Sequence, residues 1–366
     1  MQPYTGIRIL DLSHWLGSYA GRLFADLGAE VIRVEPPEGL PDRQNATAGQ
    51  FAFLNASKKS VTIAPEGQGG FEALVNLAEA AEVVMLERGS PFWHREDALR
   101  ARCPHLVITC TSPYGRTGPL ADAPASDLTV QSAGGIAWMS GRIDNAPLRL
   151  PFGQASMLCG IYAAVATAIC LRDAERSRHG HLIDVSAQEA IAHSLQNAIQ
   201  VWDLEQRISS RGGEGTRDAS EDVFPCKDGH IFFAAPPSLP KAWTALVAWM
   251  TEVGHPSGPA LSKPRWTDAE WRKTIEAKSA FRALFLAFIK DFTQAEIRHQ
   301  AMTRKLITAS VARFPDLVED PQLKHREFFH DVSGRPFPGP PYLFSEPVWA
   351  VSAAPKLGKC QQEAAQ

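Results

Sequence analysis

Short, strongly apolar runs alternate with amphipathic stretches through the first half of the chain. Residues 7–10, 31–34, 83–86 and 106–109 are rich in Ile, Val and Leu, the signature of buried strands. Between them, residues 19–27 and 70–80 carry apolar side chains at helical spacing. Strands this apolar need cover on both faces, and helices between strands supply it. The pattern therefore predicts an α/β fold with a doubly wound, Rossmann-like parallel sheet. Residues 157–173 are almost continuously apolar and predict a helix placed in the interior. A polar, Gly-rich stretch at 208–220 (ISSRGGEGTRDAS) reads as a linker or mobile loop. Beyond it, a strand at 231–235 and helices at 243–250, 267–278 and 281–292 predict a second, smaller α+β domain. The expected division is a large domain over 1–205, a linker over 206–222 and a small domain over 223–318. No internal repeat is visible.

Composition narrows the class. With 366 residues and 45% hydrophobic content the chain can bury a large core, and its length allows two domains. A net charge of -3 gives no basic surface for nucleic acid or for an acidic membrane. The six cysteines (Cys103, Cys110, Cys159, Cys170, Cys226, Cys360) lack paired metal-ligand spacing, and several lie in apolar segments, so packed, reduced thiols are expected. No charged-then-apolar leader opens the sequence, and the apolar run 157–171 is too short and too Ala-rich to span a bilayer. A cytoplasmic location is expected.

Several blocks then occur in a telling order. GIRILDLSHWLGSYAGRLFADLGAEVIRVEPPEG (6–39) is followed by SPYGRTGP (112–119), ASDLTVQSAGG (125–135) and GIYAAVATAICLRDAERSRHGHLIDVSAQEA (160–190). A Lys-Asp-Gly turn (227–229), DPQLKHREFF (320–329) and APKLG (354–358) come later. Together, and over nearly the whole chain, these blocks resemble the class III CoA-transferases, the carnitine-dehydratase and bile-acid-inducible type. Their order and spacing carry the resemblance, since no single block is specific. It implies coenzyme A and acyl-CoA as substrates, with no covalently held cofactor. It also implies that residues 319–366 return onto the large domain and that two chains interlock as a dimer.

The same resemblance exposes a missing part. In that family an aspartate, four residues before the glycine that opens the buried helix, attacks the acyl-CoA carbonyl. CoA thiolate then opens the mixed anhydride and stays on the enzyme as an aspartyl thioester until the acceptor carboxylate takes it. Placing Gly160 on the helix glycine puts Ser156 at the aspartate position, and no Asp or Glu occurs between Asn145 and Arg172. Shifts in alignment do not restore it, because Gly153, Gln154, Ala155 and Met157 offer no carboxylate either. A serine can be acylated, but it cannot store CoA, because its oxygen bears no acyl carbon for sulfur to attack. It would also need a general base, and none is close in sequence. The plainer reading makes Ser156 a small polar residue capping N–H groups at a helix start. A racemase branch of the family uses a His-Asp pair on 2-methylacyl-CoA. Its histidine position is Ser126 here, so both of its bases are absent, and the matched Asp127 reads as structural.

The expected CoA site is partly retained. His14, Trp15 and Leu16 occupy the turn after the first strand, where open α/β sheets bind ligands and where family members contact CoA. The alternative is a core Trp15 beside a satisfied turn histidine. The family's Asn-Phe-x-Pro-Gly turn reads Glu87-Arg88-Gly89-Ser90-Pro91. That sets Glu87 against the diphosphate unless Arg88 offsets it, and predicts that Glu87→Asn tightens CoA about tenfold, ~1.4 kcal/mol. Lys58 and Lys59 are within reach of a phosphate or else form a solvated surface pair. RGGEG (211–215) matches a Gly-rich loop that covers the active site in some relatives. Two readings follow. One is a non-catalytic subunit paired with an aspartate-bearing chain of the same family. The other is a homodimeric enzyme of altered chemistry on acyl-CoA thioesters, using Ser156. Nothing in 232–250 marks the acyl group or acceptor.

Overall fold

A computed structural model describes residues 2–142, 145–211 and 217–360. The chain divides into two compact units, residues 1–209 with 321–366, and residues 210–320. The first holds six parallel strands: β1 (Arg8–Asp11), β2 (Glu30–Glu35), β3 (Lys59–Thr62), β4 (Val83–Glu87), β5 (Val107–Ser112) and β6 (Leu182–Ser186). Their order is β3-β2-β1-β4-β5-β6, every pair parallel, so the winding reverses between β1 and β4. In chain order the longer helices of this unit are α1 (Ser18–Asp26), α2 (Ala48–Leu54), α3 (Gly67–Ala78), α4 (Glu96–Arg102), α5 (Asp127–Ala133), α6 (Gln154–Ser177), α7 (Ala187–Ser194) and α8 (Gln196–Glu205).

The period-2 pleat sorts the strand residues onto two faces. Ile9, Val31, Val83 and Val107 pack in one cluster with Leu16, Phe24, Ala155 and Cys159. Their sequence neighbours Leu10, Ile32, Val84 and Ile108 pack on the other with Phe71, Leu74 and Leu99. Both faces are covered, as the continuous apolar runs predict. The strands that periodicity missed, β3 (KSVT) and β6 (LIDVS), lie at the two edges of the sheet, where one neighbour suffices and polar residues are tolerated.

Helix α6 corrects an expectation. It is 24 residues long and, by length and composition, apolar enough to cross a membrane, unlike the shorter run read from sequence. One face packs in the core of this unit through Ala155, Cys159, Ala163 and Leu171. Gly160 admits α1, since a Cβ there would lie 2.8 Å from the Tyr19 Cβ. The other face is not interior: Ile161, Val165 and Ile169, one per turn, are 44%, 53% and 66% exposed.

The C-terminal residues lie on this same unit. Ala350 donates to the Asp26 carbonyl (2.9 Å), Ser57 to that of Ser352 (3.0 Å) and Cys360 to that of Ser60 (3.0 Å). Phe337 packs against Phe53 with the rings tilted, and the Arg22 guanidinium lies 4.0 Å above the Phe53 ring.

The second unit has an antiparallel sheet of β7 (Asp222–Cys226), β8 (Gly229–Ala234) and β9 (Ile307–Ser310), and helices α9 (Pro240–Glu252), α10 (Ile275–Ile289) and α11 (Gln294–Arg304). Its core is aromatic, built on Phe224, Phe233, Trp249, Phe281 and Phe285. The helix predicted at 267–278 is broken into short 3-10 turns, Pro264–Thr267 and Trp271–Lys273. Asp268 causes the break, because its Oδ1 takes the N–H groups of Glu270 and Trp271 at 3.0 Å and competes with helical pairing. Thr274 then caps α10, accepting from the N–H of Ala277.

Candidate active site at the sheet's C-terminal edge

Helix α6 starts without a capping side chain of its own, because its N-cap is Gly153 in the left-handed conformation (φ 70°). The carboxylate comes instead from α5. Asp127 Oδ1 accepts the N–H of Ala155 (3.2 Å), and its Oδ2 accepts from Gln131 Nε2. Gln131 is fully buried and also clasps the chain ahead of the helix, accepting the Leu150 N–H (2.8 Å) and donating to the Leu150 carbonyl (3.1 Å). Ser126 caps α5 in a reciprocal box with Thr129, which accounts for its hydroxyl.

Ser156 is 2% exposed, and its Oγ donates to the Gly153 carbonyl at 2.7 Å. It therefore caps no N–H group, contrary to the sequence reading; Asp127 does that from outside the helix. A Cβ on Gly153 would sit 3.1 Å from Ser156 Oγ and 4.0 Å from Asp127 Oδ1, so both side chains flank this glycine. Asp127 is thus the carboxylate that the fold brings to the helix start. Both of its oxygens are engaged as acceptors. The hydroxyl proton of Ser156 points at a carbonyl, so the base that a serine nucleophile requires is not at its oxygen.

The β1–α1 turn is organised by a residue from β4. Glu87 is completely buried, and its Oε2 accepts the N–H groups of His14 (3.2 Å), Trp15 (3.1 Å) and Gly17 (2.9 Å). Its Oε1 lies 3.7 Å from His14 Nδ1. The expectation of a charge facing a diphosphate is corrected: the carboxylate faces inward and is compensated by backbone dipoles. Leu16 is fully buried in the core instead of lining a ligand surface, and Trp15 packs partly buried against the same cluster. Gly17 is required here, since a Cβ would fall 2.4 Å from Ser13 Oγ.

The three cations expected near a phosphate are engaged elsewhere. Lys58 is neither exposed nor free. Its Nζ donates to Asp11 Oδ2 (2.7 Å), the Ser18 carbonyl (2.8 Å) and Asn55 Oδ1 (3.1 Å), which uses all three protons. Burial lowers its pKa against the opposing pull of Asp11. Only Lys59 has surface character, pairing with Glu30 at 2.8 Å. Arg88 holds the 118–123 loop, donating to the carbonyls of Ala121 and of Ala123 (3.3 Å) and pairing with Asp122 (3.5 Å). Of the Gly-rich RGGEG segment, all but Arg211 lies outside the described residues.

The family model for CoA-transferase family III matches residues 4–360. The chain belongs to CoA-transferase family III. Among similar family members, subunit BbsE of succinyl-CoA:(R)-benzylsuccinate CoA-transferase from Thauera aromatica is 34% identical, covering 99% of this chain and 93% of its own length. Succinyl-CoA–D-citramalate CoA-transferase of Chloroflexus aurantiacus is 30% identical over 63% of this chain and 61% of its own. A CAIB/BAIF family protein from Brucella suis superposes with a TM-score of 0.89, at 23% identity and 99% and 98% coverage, and shares the fold. Among the family's sequence signals, Glu87 and Asp127 were visible as residues, but their roles were not. Each acts on an element distant in sequence.

Proposed function

We propose that this chain is the non-catalytic subunit of a heteromeric CoA-transferase that moves CoA between an acyl-CoA and a carboxylic acid. The observation that carries the reading is Ser156: a buried hydroxyl bonded to a carbonyl stands where the family's mechanism needs a carboxyl carbon. Two relatives support a paired arrangement by their printed names, the BbsE subunit and an alpha subunit of succinyl-CoA–L-malate CoA-transferase from Chloroflexus aurantiacus. The partner in this reading is an aspartate-bearing chain of the same family, and the assembly interlocks as a dimer.

The exposed stripe of α6 fits such a role. In the same unit α7 and α8 border an apolar groove of about 440 Å³, lined by Trp138, Met139, Leu195, Ile199, Trp202 and Ile208. A helix apolar on nearly all faces belongs in an interior, and a second chain on Ile161, Val165 and Ile169 supplies one. Ser156 as a nucleophile in a homodimer gains no support from its hydrogen bond. Co-purification from the native host with mass spectrometry tests the proposal: a family III chain with the aspartate should come with it. A purified homodimer that exchanges labelled CoA between two acids through a hydroxylamine-sensitive adduct overturns it.

A further inference from the structure

Past residue 338 the C-terminal segment has no helix or strand among the described residues, so bonds from other elements must hold it. Between Pro338 and Ser352 these bonds gather around one residue, Asp26, at the end of α1. Its carbonyl accepts the Ala350 N–H at 2.9 Å. Its Oδ1 accepts the Ser57 hydroxyl (2.8 Å), and that same hydroxyl accepts the Ser352 N–H (2.9 Å), while the Ser57 N–H donates to the Ser352 carbonyl (3.0 Å). Its Oδ2 accepts from Arg22 Nε (3.0 Å), and Arg22 Nη2 donates to the Pro338 carbonyl (3.3 Å). We infer that residues 338–352 form a strap latched by Asp26, able to leave the first unit while the parallel sheet stays folded.

Apart from these bonds the seat is a poor one. A cavity of about 230 Å³ lies between Ala52 of α2 and residues flanking the strap, among them Val332, Phe337, Ala353 and Ala354, so close packing does not hold the seam. Trp349 buries its indole N–H without an acceptor. Ser57 grips Ser352 from a left-handed backbone conformation (φ 62°) that residues other than glycine rarely adopt. Lifting the strap relieves all three. It also sacrifices little apolar burial, because Tyr342, Leu343 and Phe344 already face solvent. Arg22 explains why the latch is a carboxylate. Its buried guanidinium lies over the rings of Phe53 (4.0 Å) and Phe337 (5.1 Å), and its Nη1 has no partner, so without Asp26 the charge is uncompensated and its bond to Pro338 goes with it. Opening uncovers α1, the helix whose Tyr19 packs on Gly160 of α6. The inference concerns the single chain and holds whichever chain it pairs with.

Hydrogen–deuterium exchange of the full chain, read by mass spectrometry, tests the latch. In the wild type, peptides covering 342–352 should exchange faster than those covering β1 and β2, through an opening that leaves the sheet closed. Asp26→Asn offers an amide N–H to Arg22 or to Ser57 where an acceptor stood, and Ser57→Ala removes the hydroxyl that links Asp26 to Ser352. In each variant strap exchange should quicken about tenfold or more, the factor that loss of a buried hydrogen bond carries, with β1 and β2 keeping their wild-type rates in Ser57→Ala. Should Asp26→Asn not fold, Ser57→Ala decides alone, since Ser57 is only partly buried. Strap peptides that keep wild-type rates in Ser57→Ala overturn the inference, as does a wild type whose strap, β1 and β2 open in step.

Discussion

At the scale of single residues, what matters is which polar groups have partners. Ser156 spends its hydroxyl on Gly153, in the same helix start where Asp127 is bound by Ala155 and Gln131. Restoring a carboxylate with Ser156→Asp would add a second buried negative group to a small volume, and like charges held that close disfavour joint ionisation. We expect Ser156→Asp to lower Tm and to give no CoA transfer from this chain alone, as read by exchange of labelled CoA. Full activity in the single variant would show that the rest of the site is intact. A different residue governs acid stability. Burial opposes ionisation of Glu35, but hydrogen bonds from Arg43, with Arg33 and Ser60, outweigh it and hold its carboxyl below the ordinary 4.5. A carboxyl lowered on folding contributes stability that is fully present above its unfolded value and is lost as pH falls through its folded value. Glu35→Gln should therefore destabilise at neutral pH by about 3 kcal/mol, since it removes the carboxylate shared by buried Arg33 and partly buried Arg43. The gap from wild type should close below pH 4.5 in urea titrations; a gap independent of pH would refute the assignment. Asp26 and Asp42, raised by burial, act in the opposite sense and are common to both proteins.

Elements meet where side chains are absent. Between α6 and β6 the chain passes Gly180, whose N–H donates to the Pro104 carbonyl at 2.9 Å. A Cβ there would lie 1.8 Å from the Leu106 carbonyl oxygen, and backbone cannot move aside as a flexible side chain can. Gly180→Ala should cost ~3 kcal/mol or more through overpacking and displace β6 at the edge. Its urea midpoint should fall, and a wild-type midpoint would mean that the edge strand yields. The glycine in the GHLIDVS block thus has a packing reason: it lets the helix return its chain against β5.

For the whole molecule, two exposed apolar features motivate a prediction about assembly. The α6 stripe exposes Ile161, Val165 and Ile169, and the C-terminal segment exposes Tyr342, Leu343 and Phe344 at 41%, 64% and 52%. The latter segment has little regular structure and builds no core of its own. We expect a dimer, homomeric or heteromeric, whose subunits do not exchange on dilution, because interlocked chains separate only by partial unfolding. Light scattering that finds a folded monomer at micromolar concentration would refute this. Val165→Glu, a change at a position exposed in the single subunit, should leave the circular dichroism spectrum unchanged and yet raise the monomer fraction.

Local pattern alone determined much of the first unit: the apolar runs became β1, β2, β4 and β5, and their lack of polar alternation announced a sheet covered on both faces. The order of blocks marked the family, and the missing carboxylate near Ser156 was legible because an absent residue type needs no coordinates. Edge strands β3 and β6 were not legible, since their polar residues obscure the period. Neither was the break at 267–278, where one Asp268 side chain outcompeted helical pairing. Tertiary structure alone decided who pairs with whom. Lys58 and Lys59 are adjacent and alike in sequence, yet Lys58, just ahead of β3, is buried on Asp11 of β1, while Lys59, the first residue of β3, lies at the surface on Glu30. Glu87 and the turn at His14 are separated by more than 70 positions, and only the parallel pairing of β1 with β4 brings the carboxylate onto those N–H groups. Charge and spacing along a chain do not encode such distances; the register of the sheet does.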